Sequence, residues 1–147
     1  MTEERMKSRI LRLVWVVAVF AMAAPAFAQM GYPLKGSWSG DWWLKKGEEN
    51  HVLLDFDWDG KTLKGMLNPG TDNATLQKLT LDPPANTVAK AMDPWLLHFE
   101  ADVKDSSGKM VHYVVDGKLQ NIGAYNKFVT GTWAVGSQKG EFKVVRN

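Results

Sequence analysis

Trp95-Leu96-Leu97-His98-Phe99-Glu100-Ala101-Asp102-Val103-Lys104 is the stretch that decides the fold. Leu97, Phe99, Ala101 and Val103 fall on one side of an extended chain, and His98, Glu100, Asp102 and Lys104 on the other. Such alternation marks a strand with one face on a core and the other in water. A helix would scatter the same apolar residues around its circumference.

The pattern continues in both directions. Downstream, Asp105-Ser106-Ser107-Gly108 reads as a turn, and residues 109–116 alternate again with Val111, Tyr113 and Val115 aligned. Gly117 marks a bend, residues 119–123 a short strand, and residues 123–126 a loop with Tyr125 at its tip. Residues 128–135 form a strand through Gly131-Thr132-Trp133, with either the Val129, Trp133 side or the Phe128, Thr132 side inward. A turn over 136–140 leads into a last strand over 141–146.

Upstream, residues 37–44 place Trp38, Gly40, Trp42 and Leu44 on one face and Ser39, Asp41 and Trp43 on the other. Residues 51–58 place Val52, Leu54, Phe56 and Trp58 together, and Asp59-Gly60 then marks a hairpin. A third strand covers 61–68 and a fourth 75–81, stopped by Asp82-Pro83-Pro84 because two prolines cannot continue a ladder. Residues 85–94 fit a short strand or one helical turn.

The expectation is an all-β chain of seven to nine short antiparallel strands, joined by tight turns. An up-and-down β-barrel of about eight strands removes the sheet edges, and a two-sheet β-sandwich is the alternative.

The chain has 147 residues, enough for one domain. Residues 1–28 have the form of a secretory signal peptide: a basic start, the apolar run 13–24, then Pro25-Ala26-Phe27-Ala28. The run is too short for a stable membrane span. Residues 29–147 then make up the domain, with 14 basic and 14 acidic residues. That balance gives no nucleic-acid footprint. The absence of cysteine removes disulfides and thiolate chemistry, and points to a bacterial periplasm or a secreted bacterial protein.

Gly36-Ser37-Trp38, the Leu63-Lys64-Gly65 hairpin arm and Gly131-Thr132-Trp133 together resemble the calycin-type barrels: lipocalins, fatty-acid-binding proteins and avidins. The chain is similar too to small exported bacterial proteins of this form. The resemblance implies a barrel whose closed end is plugged by Trp38. The lipocalin Thr-Asp-Tyr element and cysteine pair are absent, and the polar biotin contacts of the avidins do not carry over.

Tryptophan is the compositional outlier, with six after the leader. Trp38, Trp42, Trp43, Phe56, Trp58, Trp95, Phe99, Tyr113 and Trp133 are the candidate ligand-binding residues. Indoles and phenyl rings in a barrel or at its mouth hold small apolar ligands, and an exposed indole such as Trp43 stacks on a sugar ring. The core-packing reading stands beside this one, most strongly for Trp38 and Trp58.

No catalytic, metal or cofactor motif is present. Asp55, Asp57 and Asp59 share a face without a calcium-loop pattern. His98 and His112 fall on neighbouring strands beside Glu100 and Asp102, as a solvated outer face. Asn73-Ala74-Thr75 matches a glycosylation acceptor by chance in a bacterial protein.

The leading functional expectation is a non-enzymatic exported binding protein holding a small, largely apolar ligand. The alternative is a glycan- or protein-binding module that uses exposed rim aromatics (Trp43, Trp95, Tyr125) around a filled core. Sheet edges leave homo-oligomerisation open.

Overall fold

The computed structural model describes residues 31–68, 70, 73–84 and 94–147. The expected leader and the undecided stretch at 85–93 lie outside them. A 3-10 turn (Tyr32–Leu34) precedes nine strands: β1 (Gly36–Trp43), β2 (Asn50–Trp58), β3 (Leu63–Leu67), β4 (Ala74–Thr75), β5 (Gln77–Asp82), β6 (Trp95–Lys104), β7 (Met110–Gln120), β8 (Phe128–Val135) and β9 (Gln138–Arg146). They form one antiparallel sheet in the order β4-β3-β2-β1-β9-β8-β7-β6-β5.

The sheet curls into a nearly closed barrel. Residues 74–82 bring its two edges together. β4 pairs with β3 through Met66↔Thr75 and Leu67↔Ala74, and the Leu76 N–H reaches the Gly65 carbonyl at 2.9 Å. The chain then crosses over, and β5 pairs with β6 from Gln77↔Glu100 to Asp82↔Leu96. A register shift between Gln77 and Thr80, with Lys78 at φ 48°, makes this bend. Beyond it β3 and β5 diverge without pairing, which leaves one unsealed seam. The barrel expectation holds, and the sandwich does not form.

β6 and β8 match the expected strands in both bounds. The expected fourth strand is divided by its crossover at Leu76. Gly117 is not a bend: β7 runs through it as far as Gln120, which absorbs the separate strand expected at 119–123. Phe142 explains why. A methyl group on Gly117 would stand 3.0 Å from Phe142 Cζ and 2.8 Å from Val129 Cγ1. Gly131, its partner on β8, faces the same ring at 2.8 Å. Neither has room for a side chain: Val129 and Phe142 fill the space at Gly117, and the β7 backbone with Phe142 fills it at Gly131, so the curvature belongs to the packed barrel.

The registers define two ends. At one lie the start of β1, the β2–β3 turn, the start of β6 and the β7–β8 loop. The 3-10 turn plugs this end. Leu34 and Trp38 are both 0 % exposed, and the Trp38 indole N–H donates to the Leu34 carbonyl at 2.7 Å. The hydrogen bond lets an indole be fully buried without an orphaned donor. Leu119 and Val129 complete the sealed layer.

Candidate functional site

The opposite end is different. Trp42 is the last residue but one of β1, Tyr113 lies early on β7 and Trp133 late on β8. Antiparallel pairing carries all three to the same rim. Trp42 meets Trp133 edge-on at 5.1 Å between ring centroids and Tyr113 edge-on at 6.2 Å, and Tyr113 lies 6.0 Å from Trp133. These are favourable aromatic geometries. Trp133 is anchored by its indole N–H, which donates to the Glu141 carbonyl at 3.2 Å.

Beneath the trio is a chamber of about 100 Å³. Val52 and Leu54 of β2, Leu67 of β3, Phe99, Ala101 and Val103 of β6, Val115 of β7 and Phe142 of β9 wall it. The Asn68 amide and the Tyr113 hydroxyl supply polarity. Asn68 is held in place: its Oδ1 accepts from the Leu53 N–H at 3.1 Å, and its own N–H donates to the Leu53 carbonyl at 2.8 Å. Its φ of 46° is one that asparagine tolerates better than most residues. Among the described residues no carboxylate, imidazole or lysine reaches this wall.

Above the trio, on the solvent side, Leu44, Glu48, Glu49, Val111 and Gln138 form a shallow rim cleft. The Glu49 carboxyl is held below its ordinary pKa, chiefly by the Gly47 backbone N–H at 3.0 Å. Trp42, Tyr113 and Trp133 border both chamber and cleft, and so form the partition between them.

Of the nine candidate binding residues, Trp42, Phe99, Tyr113 and Trp133 come together at this chamber. The others do not. Trp38 is the plug of the far end. Phe56 is buried in the core at 2 % exposure. Trp58 carries the Gly31 backbone against its ring, and Trp95 packs against the core at the start of β6, both at the plugged end. Trp43 points outward, its indole N–H donating to Glu141 Oε2 at 3.2 Å. The exposed-aromatic alternative is therefore split in space. Trp95 and the fully exposed Tyr125 lie at the plugged end, and Trp43 lies on the outer wall near the other.

The chamber residues that escaped the candidate set are Val52, Leu54, Leu67, Ala101, Val103, Val115, Phe142 and Asn68. All but Asn68 are ordinary inward apolar alternators, so nothing local distinguishes them from core. Asn68 signals itself only as a turn residue before Pro69-Gly70.

The outer face of β5, β6 and β7 carries a ladder of charges. His98 Nδ1 lies 2.7 Å from Asp116 Oδ1. His112 Nδ1 lies 2.7 Å from Asp102 Oδ1, and its Nε2 lies 3.0 Å from Glu100 Oε2. Lys78 Nζ donates to Glu100 Oε1 at 2.9 Å, and the Gln77 amide donates to Asp102 Oδ2 at 2.9 Å. Only imidazolium donates from both ring nitrogens, so the His112 pKa is raised, first by Asp102. Those of Asp102 and Glu100 are lowered, chiefly by His112 and by Lys78 respectively. The ladder fastens seam strand β5 to β6. Among the described residues no three such side chains are placed to hold one metal ion.

No protein family, curated protein or solved structure matches this chain. Among the described residues no helix is long and apolar enough to cross a membrane.

Proposed function

We propose that the protein is an exported, non-enzymatic binding barrel that takes a small, largely apolar ligand at its open end. One observation carries this reading. The aromatic trio of Trp42, Tyr113 and Trp133 stands over an apolar chamber, at the end that none of the described residues plugs. Burying apolar ligand surface there supplies the driving force. Asn68 and Tyr113 orient whatever polar group the ligand carries.

The size of the chamber constrains the ligand. At about 100 Å³ it is smaller than the roughly 150 Å³ cavity that accepts benzene. A compact ring or the apolar end of a longer molecule fits, with the remainder leaving past the trio into the rim cleft. The signal-peptide form of residues 1–28 is what supports export to a bacterial periplasm or medium in this reading.

Native mass spectrometry of the protein isolated from its own cells, beside a denatured control, tests this reading. A small molecule retained in the native spectrum and lost on denaturation supports it and gives the ligand's mass. Bare chain alone, unchanged after incubation with apolar compounds of one ring, counts against it.

A further inference from the structure

The outer wall of the barrel carries a second groove, unconnected with the aromatic trio. Its upper edge is a straight cross-strand row. Trp43 pairs with Glu141, Glu141 with Thr132, Thr132 with Asp116, and Asp116 with His98. All five side chains point outward. Five neighbouring strands give the row a length of about 19 Å. The lower edge, two residues along each strand, is formed by Lys143, Thr130, Lys118 and Leu96, with Asp82 at its end. Two strand residues separate the edges, a width of about 6.5 Å. The floor is the backbone at Gly131 and Gly117, and the groove, open to solvent along its length, spans about 870 Å³.

The hydrogen-bonding groups here are oriented but only half used. Glu141 Oε2 accepts from the Trp43 indole, which fixes the ring, and Asp116 Oδ1 is paired with His98. Among the described residues Glu141 Oε1, Asp116 Oδ2 and the Thr130 and Thr132 hydroxyls have no partner, and Lys118 and Lys143 form no ion pair. Lys143 Nζ instead lies 5.4 Å above the Phe128 ring.

We propose that this groove binds a neutral oligosaccharide, seated across the strands with one ring stacked on Trp43. The chemistry selects this class. Three carboxylates face two lysines and an imidazole, so a polyanion meets repulsion along the row and a polycation meets the lysines. Paired acceptors, hydroxyls and ammonium donors in a line suit a chain of hydroxyl groups. The indole supplies the flat apolar surface that the C–H face of a sugar ring covers. Leu96 is the one aliphatic side chain on the edges, which gives a peptide little to bury. The site stands whether or not the open end holds an apolar ligand.

The test is a titration of the isotopically labelled mature protein with cellotetraose, xylotetraose and chitotetraose, each beside its disaccharide, with an oligogalacturonate and a polar peptide as comparisons. The expected result is a set of amide shifts at Gly117, Gly131, Thr132 and Glu141, together with the Trp43 indole N–H. A tetrasaccharide should bind about tenfold more tightly than its disaccharide. Trp43→Ala should weaken binding about tenfold, while Trp43→Phe, which keeps a stacking face, keeps most of it. Failure of every neutral tetrasaccharide to move these signals overturns the proposal. So does equal binding by oligogalacturonate or peptide, or binding unchanged in Trp43→Ala. Shifts confined to Val52 and Leu54 would place the sugar in the open-end chamber and overturn the groove as its site.

Discussion

The two ends of this barrel use the same residue type to opposite effect. At the plugged end, Trp38 is 0 % exposed, its indole N–H is satisfied by Leu34, and Leu119 and Val129 fill the space beside it. At the open end, Trp42 is only half-buried and packs edge-on against Trp133 and Tyr113 above a small chamber. An indole with a turn of chain folded over it becomes core. The same side chain without that cover becomes the wall of a chamber. Among the described residues, what separates the two ends is the segment preceding β1, which caps one mouth and not the other.

The largest effect should come from removing the plug. Trp38→Ala should cost about 3–5 kcal/mol of stability by urea denaturation, because a fully packed indole leaves a cavity that its neighbours cannot fill. A loss below about 1 kcal/mol would erase the distinction between the ends. Next in size is Gly131→Ala, at about 1–3 kcal/mol. Its methyl would stand 2.6 Å from the Gly117 Cα, and backbone cannot yield as a side chain can. Thermal melts of Gly131→Ala and of Gly123→Ala, where no atom lies within 4 Å, give the contrast.

At the open end the balance reverses. Trp42→Ala should cost about 1–2 kcal/mol, less than Trp38→Ala, because the residue is already partly solvated. It should weaken apolar-ligand retention about tenfold, read by displacement of a fluorescent apolar probe. Equal stability losses for Trp38→Ala and Trp42→Ala would mean that both ends are core.

The smallest effect belongs to the outer ladder. His112 has a raised pKa in the folded state, so its contribution is full below its unfolded value of about 6.5 and is lost as pH rises through the folded one. Asp102 and Glu100 have lowered values, so theirs is present above about 4 and lost as pH falls through their folded values. The ladder should tie β6 to β7 best between these limits, about pH 5 to 6. Melting temperatures from about pH 5 to 8 should decline more for the native protein than for His112→Gln. Parallel curves would show that the ladder contributes nothing at its exposed positions.

Much of this fold is legible in the sequence. β6 follows from alternation alone, because every second side chain from Leu97 on turns to the core, whereas β8 is legible in its bounds but not in its facing, which packing of Val129 and Trp133 decides. The failures are instructive. Gly117 read as a bend because a glycine shows no facing. Its smallness answers to Phe142, 25 residues on, which no local pattern connects to it. The crossover at 76–78 was invisible because Leu76 continues an apolar pattern while the chain changes neighbours, and Lys78 takes a positive φ that glycine or asparagine would have announced. Gly136 at φ 56° and Ser137 make a tight turn with Val135 opposite Gln138. That pair was a two-residue hairpin signal, and β9 starts three residues before the expected 141.

The site divided in the same way. Alternation with Trp38 and Gly40 put Trp42 inside and Trp43 outside, as the structure has them. It could not say that Trp38, Trp58 and Trp95 gather at one end while Trp42, Tyr113 and Trp133 gather at the other. That grouping depends on register. Reversing direction at each hairpin sends the start of β1 to the end of β2 and the start of β6, and only the paired sheet fixes which aromatics share a mouth.

The central claim is that the open end is a binding chamber and the plugged end is solid core. A methyl-labelled sample titrated with benzene and 1-hexanol, a single ring and a slim apolar chain, tests both at once. The account predicts shifts for the methyl groups of Val52, Leu54, Leu67, Val103 and Val115, and none for Leu34, Leu119 and Val129. Unmoved signals at saturating probe, or shifts of equal size at both ends, would contradict it.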